Sequence, residues 1–209
     1  MSETAAKIMP CREQRLRTAI ETSRDERGVK PVLREYPLLL VTAFNPSWNF
    51  HRCLPEFRLG GDFVADYLIL SADSGSWNAL FVEAESPRAI LFTKRGVPRS
   101  QCATGLRQLD DWERWLRQNG SLFRETLSKL LEAERVPAQC SRADVHTLAH
   151  TEMRDPRTVI RQEFILLIGR RESLSQLDQE RRAQFSAKGR QIATYDRLLD
   201  VARRLDAAL

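Results

Sequence analysis

Two apolar stretches with a strand's pattern lie on either side of a short polar turn. Residues 63–70 run Phe-Val-Ala-Asp-Tyr-Leu-Ile-Leu, and residues 77–85 run Trp-Asn-Ala-Leu-Phe-Val-Glu-Ala-Glu. The segment 71–76 between them is polar and contains Gly75, so the two form an antiparallel hairpin. Gly60-Gly61 marks the turn before it. The period then changes. Cys102, Leu106, Leu109, Trp112 and Leu116 recur at helical spacing from Ser100 onward, and Asn119-Gly120 is a stop signal. A further helix is predicted over 121–135, a strand over 162–168 ended by Gly169, a charged helix over 174–186, a short strand over 191–194 and an amphipathic helix over 195–208. Upstream, 11–24 is helix-prone through Leu16, Ala19 and Ile20, and 26–35 is a second helix that Pro31 limits or begins. Residues 38–41 continue as an apolar run. Residues 45–55 read as loop, 89–93 extend or follow the sheet, and 137–155 carry no assignable period. The order of helices and strands predicts an α/β fold, divided into an N-terminal helical extension (1–25) and one domain (26–209).

The hairpin contains the chain's unusual chemistry. Asp66 sits among apolar residues, and by alternation it shares a face with Val64, Leu68 and Leu70. An ionised carboxylate there is costly unless paired or metal-bound. In the second strand Ala79, Phe81, Glu83 and Glu85 share one face. Glu83 and Glu85 are two residues apart, with Cα atoms about 6.6 Å apart, and pairing of the strands sets Asp66 opposite Glu83. A divalent cation removes the mutual repulsion of three such carboxylates, and an all-oxygen site suits Mg2+ or Mn2+. The alternative is structural: Glu83 and Glu85 lie at a solvated strand end, and Asp66 pairs with an arginine.

Composition adds limits. Of 209 residues 42% are hydrophobic and 29% charged, enough for a core and far from the signature of disorder. No apolar run approaches the roughly 18 residues of a membrane span, and residues 1–7 lack a signal pattern; a soluble cytoplasmic protein is expected. Cys11, Cys53, Cys102 and Cys140 show no CxxC spacing and are expected to be free thiols. The net charge is +5, carried by 28 arginines against five lysines. Arginine's planar fork matches phosphate oxygens, so the balance is compatible with nucleic acid and equally with a compositional bias of the source genome.

Other residues admit two readings. His146 and His150 are spaced for one helix face, as in some metal sites, or form a surface pair without a third ligand. His51 is a loop residue. Trp112 and Trp115 either stack on bases or belong to the core. Arg95 and Arg99, between the acidic strand and the following helix, are either phosphate contacts or solvated loop charges. The arginine pairs at 170–171, 181–182 and 203–204 read as solvated faces.

The segment Gly60-Gly-Asp-Phe-Val-Ala-Asp66, followed by Phe81-Val-Glu83-Ala-Glu85-Ser-Pro87, resembles the core of a PD-(D/E)XK nuclease. More narrowly, the chain resembles the nuclease domain of the Shedu anti-phage defence proteins. The resemblance runs from near Glu26 to near Leu205. It is carried by Asp25-Glu26 with Val32-Leu33-Arg-Glu-Tyr-Pro37, by Gln108-Leu-Asp-Asp-Trp112, by Phe164-Ile-Leu-Leu-Ile-Gly169-Arg170-Arg171, and by Thr194-Tyr195-Asp196-Arg-Leu198-Leu199. It implies a mixed sheet flanked by helices and a Mg2+- or Mn2+-dependent endodeoxyribonuclease acting in prokaryotic defence. Asp66 and Glu83 are then metal ligands, Gln108 lines the site and orients water or phosphate, and Glu26 is a lesser acidic member. An activated water attacks the phosphorus in line, leaving a 5′-phosphate and a 3′-hydroxyl. The third position of the strand motif, usually lysine, is Glu85 here, a further metal ligand or a general base. Lys94, nine residues on, is a candidate to take over the lysine's role. Beside this enzyme stand two other classes, a nucleic-acid-binding module that keeps the fold without catalysis and an assembly domain whose charged terminal helices pair in a homo-oligomer. Shedu-like proteins often carry a sensing region N-terminal to the nuclease, which here is expected to be missing or supplied by a partner protein.

Overall fold

The computed structural model describes residues 11–44, 50–73, 76–133 and 153–208. Five strands form one sheet: β1 (Phe50–Leu59), β2 (Phe63–Asp73), β3 (Ser76–Ala84), β4 (Val159–Leu167) and β5 (Arg190–Ala193), in that spatial order. β1, β2 and β3 are an antiparallel meander, and β3, β4 and β5 are parallel. Parallel neighbours require crossovers. β3 reaches β4 through α4 (Ser100–Gln118) and α5 (Gly120–Ala133), and β4 reaches β5 through α6 (Gln176–Ala187). Before the sheet come α1 (Arg12–Thr22), a 3-10 turn (Glu26–Gly28), α2 (Lys30–Glu35) and α3 (Leu38–Phe44); α7 (Asp196–Ala207) closes the chain.

Alternation divides the sheet's side chains between two cores. Leu68, Leu70, Ala79, Phe81, Phe164 and Leu166 pack under α4 and α5 against Leu109, Trp112, Phe123 and Leu127. Ile69, Leu80, Val82, Ile165 and Leu167 face the other way, against α1, α2, α3 and α7. Each fully buried leucine, isoleucine, valine or phenylalanine among these contributes about 1.5–3 kcal/mol. Gly105 lets α4 approach closely: a Cβ there would stand 2.4 Å from Leu166 Cδ1. Leu16 and Ile20 place α1 in the same core as α7.

Part of the expected loop at 45–55 is the first half of β1, and His51 is a buried strand residue there. Pro55 is tolerated because β1 is an edge strand. The expected helix over 26–35 is broken after Gly28 into a 3-10 turn and α2, with Pro31 in the first turn of α2. The apolar run at 38–41 is helical, part of α3, with Leu39, Leu40, Val41, Ala43 and Phe44 all buried. Gly120 does not merely stop α4 but opens α5, with Asn119 capping α4 through a 2.9 Å bond from its Nδ2 to the Trp115 carbonyl. Residues 89–93 add no strand; Phe92 forms only an isolated bridge to Pro98. Trp112 and Trp115 are buried, which assigns them to the core. Cys11, Cys53 and Cys102 are free. Cys140, His146 and His150 lie outside the described residues.

Candidate metal centre

β2 and β3 pair as far as Tyr67 and Val82, and there the ladder ends. Continued by one step, it would set Asp66 against Glu83, as the sequence predicts. Instead β2 leaves β3 at that point, and the Asp66 side chain fills the gap. Its Oδ2 accepts from the Ala84 N–H at 2.9 Å, and its Oδ1 accepts from Lys30 Nζ at 2.6 Å. The strand is distorted here. Ala65 and Leu68, three residues apart, join the same core, so strict alternation slips across Asp66. On β1, Glu56 has φ of +52°. The exposed Val64 therefore does not share a buried face with Leu68, contrary to expectation.

Glu83 is the most constrained acid of the group. It is 8% exposed, and its Oε2 is buried without a hydrogen-bond partner. Burial and then the charge of Asp66 push its carboxyl up to about 9, with Lys30 opposing. Glu85 is half-buried, and its carboxyl is also raised, by burial first and then by Glu26 and Asp66. Glu26, from the 3-10 turn, adds negative potential to both Glu83 and Glu85. Asp66, Glu83, Glu85 and Glu26 thus occupy one electrostatic neighbourhood. Among the described residues, no three His, Cys, Asp or Glu side chains are already drawn together into a metal cage.

The surroundings fix the acidic strand end. The Glu85 N–H donates to the Leu167 carbonyl at 2.8 Å, which continues the β3–β4 ladder past β3. The fully buried Tyr195, at the start of α7, donates its hydroxyl to the Glu85 carbonyl at 2.8 Å. From the other face, α4 brings Cys102 close enough for the Glu85 charge to raise its thiol, after burial as the larger cause, to about 12. Further along α4, Trp112 meets Phe81 with ring centroids 6.3 Å apart. Gln108 lies between these two contacts on α4 and is half-buried. Arg95 is exposed in the turn after Thr93, and Arg99 is exposed at the N-cap of α4.

An all-oxygen set of this kind suits a hard divalent cation. The structural observation in favour is Glu83 Oε2, because a buried carboxylate oxygen without a partner costs free energy that a cation would return. Asp66, Glu83 and Glu85 are the side chains that would hold it. Lys30 is the member that the sequence reading missed. It is the only lysine between Lys7 and Lys94 in an arginine-rich chain, a signal too faint to use without the contact across 36 positions.

Among the described residues, no helix is long and apolar enough to cross a membrane. No curated protein matches the chain. A family model described as Shedu protein SduA, C-terminal, matches residues 23–199, which include every candidate site residue named above. The chain belongs to the Shedu family.

Proposed function

We propose that this protein is a metal-dependent DNA endonuclease of the PD-(D/E)XK type, working in anti-phage defence. Membership of the Shedu family points to defence. The observation that carries the chemical part is the buried, partnerless Oε2 of Glu83 beside Asp66 at the point where β2 and β3 separate. A three-stranded antiparallel meander continued by parallel strands, with acids at the splayed end of the hairpin, supports the fold assignment. Asp66 and Glu83 would hold Mg2+ or Mn2+, and Glu85 would add a third oxygen ligand or take a proton from the attacking water. The chemistry a bound cation supplies is polarisation of a phosphoryl oxygen and a more acidic water. Gln108 orients water or phosphate from α4, while Arg95 and Arg99 bind backbone phosphates of the DNA.

The test is cleavage of plasmid and linear DNA with Mg2+ or Mn2+, comparing wild type with Glu83→Ala. Cleavage that survives the substitution sinks the assignment. A second reading has its own observation: both oxygens of Asp66 already have partners, one of them the Lys30 ammonium. It makes the protein a nucleic-acid-binding module without hydrolysis. DNA affinity indifferent to metal, with no cleavage under any cation, would favour it.

A further inference from the structure

Glu85 stands where a positive charge is expected, and the structure brings a different cation to the site. Lys94 does not reach it. Its turn is closed by bonds from the Thr93 N–H to the Val97 carbonyl (2.9 Å) and from the Gly96 N–H to the Thr93 carbonyl (2.8 Å), and its side chain is exposed. Lys129 and Lys188 are exposed on α5 and after α6. Lys30 is the first residue of α2, its side chain only 24% exposed, and its Nζ lies 2.6 Å from Asp66 Oδ1. Its charge also acts on Glu83 and Glu85. Its backbone is held on both sides, since Val29 and Leu33 are fully buried and the Tyr67 hydroxyl donates to the Lys30 carbonyl at 3.4 Å. Tyr67 follows Asp66 on β2, so the strand that offers the acid also anchors the base. An exposed ion pair is worth little. This one is partly buried and stands beside two further acids, where each charge acts through less solvent.

We propose that Lys30 is the resident cation of the acidic site, holding Asp66 in the metal-free protein and supplying to the scissile phosphate the positive charge that Glu85 cannot. This rests on the nuclease reading only for its second half. Two consequences follow. Lys30 competes with a divalent cation for Asp66, and moving the charge from α2 to the strand should substitute for it. The experiment is calorimetric titration of wild type, Lys30→Met, Lys30→Arg and Lys30→Met/Glu85→Lys with Mn2+, with thermal unfolding to check the fold, followed by plasmid cleavage. Lys30→Met should bind Mn2+ at least about fivefold more tightly than wild type, because a like charge beside the ion is removed. Lys30→Arg, which keeps the charge, should stay within about twofold. Cleavage should fall about 100-fold in Lys30→Met and recover to within about tenfold of wild type in the double variant.

Unchanged Mn2+ affinity in a folded Lys30→Met protein overturns the proposal whether or not wild type cleaves. Full cleavage by Lys30→Met, with Glu83→Ala inactive, overturns it and leaves the nuclease reading standing. Tighter Mn2+ binding by Lys30→Met with no cleavage by wild type supports the resident cation and overturns the nuclease. Absence of Mn2+ binding in every variant overturns both.

Discussion

Glu83→Gln should stabilise the metal-free protein, and the gain should grow with pH. Glu83 is buried, one of its oxygens has no partner, and its carboxyl is raised to about 9. In the unfolded chain a glutamate titrates near 4.3. Between those values the folded state holds a proton that the unfolded state has released. Stability therefore falls as pH rises across this window, by up to about 1.4 kcal/mol per pH unit. At pH 7.5 the ceiling is about three units, or about 4 kcal/mol. Glutamine has a similar shape and no charge to desolvate, so it removes the dependence. The assay is urea unfolding of both proteins in EDTA at pH 5, 7 and 9. The two should be nearly equal at pH 5, with the glutamine variant ahead at pH 7 and further ahead at pH 9. Adding Mg2+ should raise wild-type stability, because a ligand bound only by the folded state stabilises it, and should do little for the variant. A Glu83→Gln protein no more stable than wild type at pH 9 without metal would refute the claim that this carboxyl is buried at a cost.

Tyr195→Phe should cost about 1–3 kcal/mol in unfolding free energy, since it removes the hydroxyl bonded to the Glu85 carbonyl from a fully buried position; DNA cleavage should fall with it, because that bond fixes the acidic strand end. Gly105→Val should destabilise by about 1–3 kcal/mol in thermal unfolding, since the added carbons meet Leu166 where α4 crosses β4. Arg190→Met should leave Asp110 and Glu113 without their shared partner and remove the cation over Phe164; about 1 kcal/mol of stability should be lost, read by denaturant midpoint.

The parts of the fold legible in sequence were those whose period is strong and whose burial is one-sided. The β2–β3 hairpin, α4, β4 and α7 all follow from spacing. β1 was hidden because it carries Pro55, which an edge strand tolerates, and because polar His51 and Arg52 are buried in it, so no alternation of apolar and polar residues marks it. α3 was hidden for the opposite reason: it is buried nearly all round, and a short apolar run carries no period that separates strand from helix. The acidic group was legible because charged residues inside apolar strands are conspicuous. Its internal geometry was not. Strand alternation alone predicts Asp66 facing Glu83 across a ladder, whereas the strands part there and Asp66 bonds the Ala84 N–H. Contacts across long sequence separations, Lys30 to Asp66 and Tyr195 to Glu85, leave no local periodicity to find.

Whether Asp66 and Glu83 hold a divalent cation is decided by a crystal soaked in Mn2+ and read by anomalous diffraction. A single strong peak should lie about 2.0–2.3 Å from a carboxylate oxygen of each of Asp66 and Glu83, with Glu83 Oε2 among the ligands. Full-occupancy Lys30 on Asp66, with no anomalous peak within reach of Glu83 at saturating Mn2+, would contradict it.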